Sequence, residues 1–393
     1  MRRLTMTIHR PLAAAVAAVA VAGGVLATGP AAGANPVPGS VTQKLLQRDV
    51  NAIVDTGVIG AQAAVLDHGR TVKAGAGVAD VRTRRPVPLD GRFRPGSITK
   101  TFVATVVLQL AGEGRLSLDD KVGRWLPGVV TGNGNDGQKV TIRQLLQHTS
   151  GIPSFSFEDV PVFTVEDYYL HRFDTYRPEQ MVALAMKHPP TSEPGAGWAY
   201  SNTNYVLAGM IIQQVTGNTW DREVSARLVQ PLGLRGTTAP GRNPAIPGVH
   251  AQGYDHRPDG SVLNVTLMNT TWGGAAGALI STTDDLNRFA AALQDGTLLR
   301  PAQLAEMRNV YPVSEDAGYG LGIGRIKASC GIEYWTHDGG VHGYTSQFAV
   351  TSDGTRSVTA SLTTTGFLPS TWNAGPMYQA LDKLIDNAIC TGR

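Results

Sequence analysis

Three short motifs place chemically reactive side chains in one order along the chain. Ser97-Ile98-Thr99-Lys100 sets a hydroxyl near an amine, and Tyr200-Ser201-Asn202 joins a phenol to a carboxamide. His337-Asp338-Gly339 sets an imidazole next to a glycine. Each pattern is weak alone, because short patterns arise by chance in a chain of this length. In this order, however, they predict an acyl-transfer site that forms an ester on serine.

Ser97 and Lys100 are predicted to share one face at the start of a buried helix. Residues three apart are neighbours on a helix, so the amine should lie beside the hydroxyl. The helix N-terminus carries partial positive charge and free N–H groups, which favour an oxyanion. The same field and burial disfavour a protonated amine, so Lys100 is predicted to accept the serine proton. The alternative is an ordinary surface pair at a helix start.

Tyr200 and Asn202 are predicted to move a proton and to hold the substrate. A phenol with an ammonium and an imidazole nearby can act as a proton shuttle. A carboxamide offers both a donor and an acceptor to a substrate peptide group. A structural tyrosine followed by a helix cap is the alternative interpretation.

His337 is predicted to end a strand whose edge faces the substrate. Gly339 would let a substrate backbone lie against that edge. The backbone N–H groups of Ser97 and Gly340 are the predicted oxyanion hole. A hydrogen-bonded structural histidine is again the alternative. The remaining histidines lack the spacing of a metal site, so no metal or other cofactor is expected.

Residues 1–34 are predicted to be an export signal, so that the mature protein is secreted. Arg2, Arg3 and Arg10 precede an apolar run, and Ala32-Gly33-Ala34 is typical of a cleavage site. A membrane anchor is the alternative, but the run is short. Removal of three arginines from 34 basic residues leaves 31, which equals the 31 acidic residues. A chain without net charge is expected to bind neither nucleic acid nor a membrane surface.

The composition is that of a globular protein with room for two domains. The chain has 393 residues, of which 42% are hydrophobic and 17% are charged. Its two cysteines, Cys330 and Cys390, are expected to pair in an oxidising compartment. Two buried thiols are the alternative. The bridge would join the C-terminal helix to a sheet.

Apolar periodicity predicts strands at both ends of the chain and helices between them. The predicted strands are 61–66, 71–78, 319–323, 332–337, 344–351 and 357–364. The main predicted helices are 41–54, 101–111, 141–147, 178–187, 203–215, 219–229, 284–293 and 377–388. The predicted fold class is α+β, with residues 35–98 and 280–393 forming an antiparallel sheet domain flanked by helices. Residues 99–279 form a mostly helical domain, and the active site is expected in the cleft between the two.

These motifs resemble those of the serine penicillin-recognising enzymes, in the variant found in secreted actinomycete DD-peptidases. The similarity extends over about residues 48–390 and includes segments 93–97, 145–151, 194–195, 200–205 and 319–322. Class C β-lactamases, D-aminopeptidases, D-specific amidohydrolases and some esterases are related. The resemblance implies the same mixed α/β sheet domain with a helical domain.

The resemblance implies a role for each reactive residue. Ser97 is the acylated nucleophile and Lys100 is its partner. Tyr200 is the general base and acid, and His337 supports it. Asn202 holds the substrate amide.

Three further positions match the family. Trp272 corresponds to a tryptophan near the substrate cleft. Cys330 and Cys390 lie where the DD-peptidase has a disulfide.

The third motif departs from the His-Thr-Gly-Thr of the DD-peptidase, whose two threonines help to hold the terminal carboxylate of D-Ala. Asp338 and Gly340 take their places, and an arginine that binds the same carboxylate aligns with Gly324, next to Arg325. Because two nearby carboxylates repel each other, we expect substrates that have none at this position. Internal peptide bonds, amides and esters of D-amino acids fit, and Asp338 is suited to attract a free amine.

The sequence therefore predicts a secreted serine hydrolase or acyltransferase that acts on D-amino-acid peptides, amides or esters through an acyl-Ser97 intermediate. Amines are candidate acyl acceptors, and β-lactams are candidate covalent ligands. A D-Ala-D-Ala carboxypeptidase or a β-lactamase is the alternative among enzymes. A non-catalytic module that binds cell-wall peptide is the alternative outside them.

Overall fold

A computed structural model of the chain describes residues 38–156, 159–163, 167–365 and 372–391. The predicted export signal at residues 1–34 lies outside the described residues. In these ranges, no helix has both the length and the apolar composition needed to cross a bilayer.

Helices and strands alternate in blocks along the described chain. The helices are α1 Pro38–Val54, α2 Thr99–Gly112, α3 Val122–Trp125, α4 Ile142–Gln147, α5 Tyr168–His171, α6 Pro178–Ala185, α7 Asn202–Thr216, α8 Trp220–Val224, α9 Thr283–Gln294, α10 Pro301–Arg308 and α11 Gly375–Cys390. The strands are β1 Gly60–Asp67, β2 Arg70–Gly77, β3 Thr131–Gly132, β4 Asn135–Asp136, β5 Tyr254–His256, β6 Val262–Asn264, β7 Tyr311–Pro312, β8 Ala317–Tyr319, β9 Gly324–Lys327, β10 Glu333–Val341, β11 Tyr344–Thr351, β12 Arg356–Leu362 and β13 Thr364–Thr365.

An eight-stranded antiparallel sheet joins strands from both ends of the described chain. Its order is β2-β1-β12-β11-β10-β9-β8-β7. β1 pairs with β12, so that Ala63 lies opposite Ala360. Helices α1 and α11 pack on one face of the sheet and α9 packs on the other. The predicted α+β fold, an antiparallel sheet flanked by helices, is confirmed.

Helix α2 is buried at the centre of the helices that pack on the α9 side of the sheet. Every residue from Phe102 to Leu108 has no accessible surface, as the nearly uninterrupted apolar sequence of this segment predicts. The Phe102 ring stacks on Phe289 of α9 with 3.6 Å between ring centroids. Because α2 is enclosed by protein, the residues at its N-terminal end are held rigidly.

The predicted strand at 319–323 is wrong, because residues 320–323 form the turn between two strands. β8 ends at Tyr319 and β9 begins at Gly324. Between them Gly322 adopts a φ of +78°, and a Cβ atom there would lie 2.5 Å from the Ala104 Cβ. The close approach to α2 requires the turn, which periodicity within the segment does not reveal.

The predicted strand at 332–337 is too short, since β10 continues to Val341. Two short strands, β5 and β6, lie in the region predicted to be helical and form a small sheet with β13. They have three residues each, too few to show a periodic pattern. The predicted helix at 219–229 is also divided: α8 ends at Val224 and a π-helical turn follows over residues 225–229.

Cys330 and Cys390 form the predicted disulfide, with 5.9 Å between their Cα atoms. The bridge joins the last residue of α11 to the turn between β9 and β10. It therefore fastens the C-terminal helix to the sheet.

Candidate active site

Lys100 lies at the centre of the candidate site, and its side chain has no accessible surface. Ser97 belongs to a 3₁₀ turn, Gly96–Ile98, that leads directly into α2. The Lys100 Nζ is 2.9 Å from the Ser97 Oγ and 2.8 Å from the Asn202 Oδ1. Its third neighbour is the carbonyl oxygen of Ala276, at 2.7 Å. The first two motifs therefore meet at one amine.

The charge state of this amine follows from its surroundings. Burial lowers the pKa of Lys100 well below its ordinary value, and the carboxylate of Asp338 opposes this with a smaller effect. No carboxylate forms a salt bridge with this amine among the described residues. A buried amine of this kind favours the neutral form.

Tyr200 lies above this group, at the start of the segment that enters α7. The Lys100 Nζ is 4.9 Å from the centre of its ring. The residue is 38% exposed, but protein encloses its hydroxyl, and this burial raises the pKa of the phenol. A hydrogen bond with Ser97 lowers that pKa by less, and the charge of Asp338 raises it further. The group is therefore a phenol able to donate its proton.

His337 is buried and contacts a tyrosine other than Tyr200. Its Nε2 lies 2.9 Å from the hydroxyl of Tyr319, and its Nδ1 lies 2.5 Å from the carbonyl oxygen of Asp338. Since a carbonyl only accepts, the Nδ1 carries the proton and the Nε2 accepts from Tyr319. The pKa of His337 is lowered to about 4, mainly because the ring is buried. The nearby carboxylate of Asp338 opposes this effect, and Lys100 adds to it. The imidazole is neutral, and its described hydrogen bonds do not reach Tyr200.

Strand β10 passes directly beside the turn that carries Ser97. β9 pairs with β10 only from Glu333 to Thr336, so residues 337–341 have no strand partner on that side within the described chain. A Cβ atom on Gly339 would lie 2.9 Å from the Ser97 backbone nitrogen, and one on Gly96 would lie 2.8 Å from the Gly340 nitrogen. The two amides of the predicted oxyanion hole therefore lie where the strand meets the turn.

Asp338 is exposed at this open edge. Its carboxylate is near enough to raise the pKa of Lys100, Tyr200 and His337. Arg325 lies on the neighbouring strand, and its guanidinium is 3.3 Å from the carboxylate of Glu333. The one arginine adjacent to the aligned position is thus engaged in a salt bridge.

Trp272 is 7% exposed and packs edge-on against Phe163, with 4.7 Å between ring centroids. It precedes the short turn that ends at Ala276, whose carbonyl accepts from Lys100. Its indole nitrogen has no hydrogen-bond partner among the described residues.

Sequence reasoning missed two residues of this group, His148 and Tyr319. The imidazole of His148 lies 4.3 Å from the Tyr200 ring and 5.0 Å from the Tyr319 ring, measured between centroids. Both residues stand in segments that carry the family resemblance, 145–151 and 319–322. Nothing in their spacing relative to the three motifs could indicate that they converge.

A family model described as Beta-lactamase matches residues 43–382. Penicillin-binding protein 4 of Amycolatopsis lactamdurans is 30% identical over 335 residues, which are 80% of this chain and 82% of that protein. The alignments with three other curated relatives cover 60%, 54% and 44% of their lengths. This chain thus spans about half the length of those relatives.

Two solved structures are similar to this chain over most of its length. The D-stereospecific amidohydrolase of a Streptomyces species is 42% identical, with a TM-score of 0.81, and the match covers 89% of this chain and 99% of that one. The D-amino acid amidase of Ochrobactrum anthropi SV3, solved with L-phenylalanine amide, is 29% identical, with a TM-score of 0.76. That match covers 89% of this chain and 98% of the amidase.

Proposed function

This chain belongs to the β-lactamase family of penicillin-recognising serine enzymes, and we propose that it is a secreted hydrolase of DD-peptidase type. Its substrates are amides, peptides or esters of D-amino acids, cleaved through an ester on Ser97. The relatives whose names specify D-amino-acid or D-stereospecific hydrolysis support this substrate class.

One observation carries the proposal, namely the three contacts of the Lys100 amine. The Asn202 Oδ1 and the Ala276 carbonyl can only accept hydrogen bonds. A neutral amine would give its two N–H groups to these oxygens and turn its lone pair to the Ser97 Oγ, 2.9 Å away. That is the arrangement of a general base with its nucleophile.

The reaction follows from these protonation states. The Ser97 proton passes to the Lys100 amine as the Oγ bonds to the substrate carbonyl carbon. The C–N or C–O bond then breaks as the Tyr200 hydroxyl gives its proton to the leaving group, and the Lys100 ammonium reprotonates the phenolate. Water or an amine attacks the acyl-Ser97 ester by the same steps, which yields hydrolysis or aminolysis.

The open edge of β10 is the proposed substrate platform. Residues 337–341 offer backbone groups that an extended substrate can pair with, as in strand addition. The amides of Ser97 and Gly340 would receive the developing oxyanion. Asn202 and Trp272 would contact the acyl part of the substrate.

Asp338 sets the choice between a free acid and its amide. An exposed carboxylate at the open edge repels a substrate carboxylate and attracts an ammonium group. Arg325, the arginine adjacent to the aligned position, is paired with Glu333 and is therefore less available to a substrate carboxylate. We therefore propose amides, esters and internal peptide bonds as substrates rather than free D-Ala-D-Ala ends.

Secretion is part of the proposal. The predicted leader motivates it, and the disulfide supports it because such bonds persist in oxidising compartments.

The decisive experiment pairs D- and L-aminoacyl amides, esters and free-acid peptides with mass detection of the intact protein. We expect turnover of D-aminoacyl amides and esters, with an acyl adduct on Ser97 and preference over the L-forms. Ser97→Ala should abolish turnover and adduct while its unfolding curve stays that of the wild type. Full activity of a folded Ser97→Ala protein would exclude this mechanism.

The same assay separates the alternatives. A labelled penicillin should acylate Ser97, since the family recognises penicillins. Rapid release of hydrolysed penicillin would identify a β-lactamase instead. Preference for a free-acid peptide over its amide would identify a carboxypeptidase. Absence of any adduct with penicillin and with a fluorophosphonate would favour a cell-wall peptide binder.

A further inference from the structure

His148 is a buried titratable residue that the proposed reaction does not use. It has no accessible surface and follows the last residue of α4, where it adopts a φ of 61° in the left-handed region. A non-glycine residue in that region is uncommon. This conformation directs both its carbonyl and its ring to the segment that carries Tyr200.

The backbone on both sides of Tyr200 is hydrogen-bonded to His148. The Ala199 N–H donates to the His148 carbonyl at 2.9 Å. The Ser201 N–H donates to the His148 Nδ1 at 3.2 Å. The imidazole itself lies against the phenol ring, with 4.3 Å between centroids and 36° between planes. His148 thus contacts the residue before Tyr200, the residue after it and the phenol ring of Tyr200 itself.

A second contact fixes the orientation of the imidazole. The Asn204 Nδ2 lies 3.2 Å from the same Nδ1, and the Asn204 Oδ1 accepts from the Ser150 hydroxyl at 2.7 Å. The carboxamide must therefore present its N–H to the imidazole. With two donors facing it, the Nδ1 is an acceptor, and the neutral ring carries its proton on the Nε2.

The surroundings keep this ring uncharged. Burial lowers the pKa of His148 well below its usual range, and Lys100 and His337 lower it further. Its Nε2 has no hydrogen-bond partner among the described residues. A protonated ring would lose its acceptor at Nδ1 and with it the bond from Ser201.

We propose that His148 is a positioning residue for Tyr200, which rests on the proposed function. Its neutral imidazole and its carbonyl hold the peptide groups on either side of Tyr200, so that the phenol stays within reach of Ser97 and the leaving group. Since His148 acts through Tyr200, it affects the step in which Tyr200 gives up its proton. Its loss should reduce kcat rather than substrate binding.

The test compares His148→Ala with His148→Asn. Asparagine tolerates the left-handed conformation and can place an acceptor near the former Nδ1, whereas alanine cannot. His148→Ala should lower kcat for a D-aminoacyl amide about 100-fold, as expected for a displacement of about 1 Å. The KM should stay within about threefold of the wild-type value, because His148 makes no contact with the substrate that the substitution would remove. His148→Asn should recover at least about tenfold of the loss in kcat, because the bond from Ser201 is kept.

A second substrate distinguishes positioning from a general loss of structure. A p-nitrophenyl ester of the same D-amino acid has a leaving group that needs no proton. His148→Ala should therefore slow the acylation step with this ester, measured as the initial burst of p-nitrophenolate, much less than the acylation step with the amide. Equal loss on both substrates, or an asparagine variant no better than alanine, would overturn the proposal.

Hydrogen exchange supplies a readout that does not depend on activity. The amides of Ala199 and Ser201 should exchange faster in His148→Ala, and Ser201 should be protected again in His148→Asn. If the wild type turned over no D-substrate, the proposed function would fail. Unchanged exchange at both amides would instead refute the role of His148 itself.

Discussion

Gly339 and Pro95 approach so closely that a Cβ atom on Gly339 would lie 1.9 Å from the Pro95 carbonyl oxygen. Pro95 begins the turn that carries Ser97, and Gly339 belongs to the strand that faces it. No side chain larger than hydrogen fits between the two backbones. The glycine of the third motif therefore allows the strand to approach the turn that carries Ser97.

Gly339→Ala should consequently damage the site. The strand or the turn must shift, and overpacking of this kind costs about 1–3 kcal/mol of unfolding free energy. The backbone amides of Ser97 and Gly340, which form the proposed oxyanion hole, would move apart. The value of kcat/KM should therefore fall by about 100-fold or more. Chemical denaturation and steady-state kinetics with a D-aminoacyl amide measure the two effects.

Gly324→Ala is a matched control on the neighbouring strand. A Cβ atom there would meet its nearest neighbour, the Thr336 carbonyl oxygen, at 3.4 Å, which is an ordinary contact. This variant should retain activity and stability near those of the wild type. A Gly339→Ala protein that behaves like the control would contradict the packing argument.

Burial of Lys100 should also appear in the stability of the protein. Because the pKa of Lys100 is lowered in the fold, the unfolded chain binds one more proton in the window between that value and its ordinary value. The contribution of Lys100 to the free energy of unfolding therefore rises as the pH increases through this window. Between pH 7 and 9 the wild type should therefore gain stability relative to Lys100→Met, with about 1.36 kcal/mol for each pH unit as the upper limit of the slope.

Urea denaturation at the two pH values measures this difference. Lys187→Met, which replaces an exposed lysine, should follow the wild type. Lys100→Met should be inactive at both pH values, since it lacks the proposed base. A constant stability difference across the window would mean that the Lys100 amine keeps its proton in the fold.

The sequence predicts the parts of this protein that depend on local pattern. The all-round apolar sequence of α2, the apolar run of β1 and the alternation in β11 and β12 each carry their own signal, and the fold class follows from them. The i, i+3 spacing of Ser97 and Lys100 likewise places the amine beside the hydroxyl without reference to the rest of the chain.

The parts that depend on contacts between distant segments are not visible in the pattern. The hydroxyl of Tyr319, and not that of Tyr200, forms a hydrogen bond with the imidazole of His337, because the sheet brings β8 close to β10. Ala276 contributes only its backbone carbonyl, and because every residue has one, the residue type does not reveal this contact. The left-handed conformation of His148 arises at a helix end, and the local sequence does not predict it.

The disulfide should contribute to stability and not to catalysis. Replacing both Cys330 and Cys390 by serine releases a loop of 60 residues, which is worth about 4 kcal/mol in the chain-entropy model. Thermal unfolding should therefore occur at a lower temperature in the double variant. The bridge lies at the turn between β9 and β10, away from Ser97, so kcat at low temperature should stay near that of the wild type. A loss of kcat in the folded variant would show that the bridge also shapes the site.

Asp338 makes the sharpest prediction about specificity and pH. Its carboxylate raises the pKa of Lys100, so Asp338→Asn should lower that pKa further. More of the amine is then neutral at a given acidic pH, and the acidic limb of the kcat/KM profile should move to lower pH. The same variant should improve hydrolysis of a free-acid D-peptide relative to its amide by at least about tenfold, which equals about 1.4 kcal/mol of repulsion removed.

Asp338→Glu keeps the charge and is the matched control for both effects. Its acidic limb and its preference for the amide should remain close to those of the wild type, because the sign of the local field is unchanged. If Asp338→Asn left the ratio of free-acid to amide hydrolysis unaltered, repulsion by this carboxylate could not be the cause of the proposed preference against free D-Ala-D-Ala ends. The missing hydroxyl donors at positions 338 and 340 and the missing arginine at position 324 would then remain as reasons, and Gly340→Thr should improve cleavage of the free acid where Asp338→Asn does not.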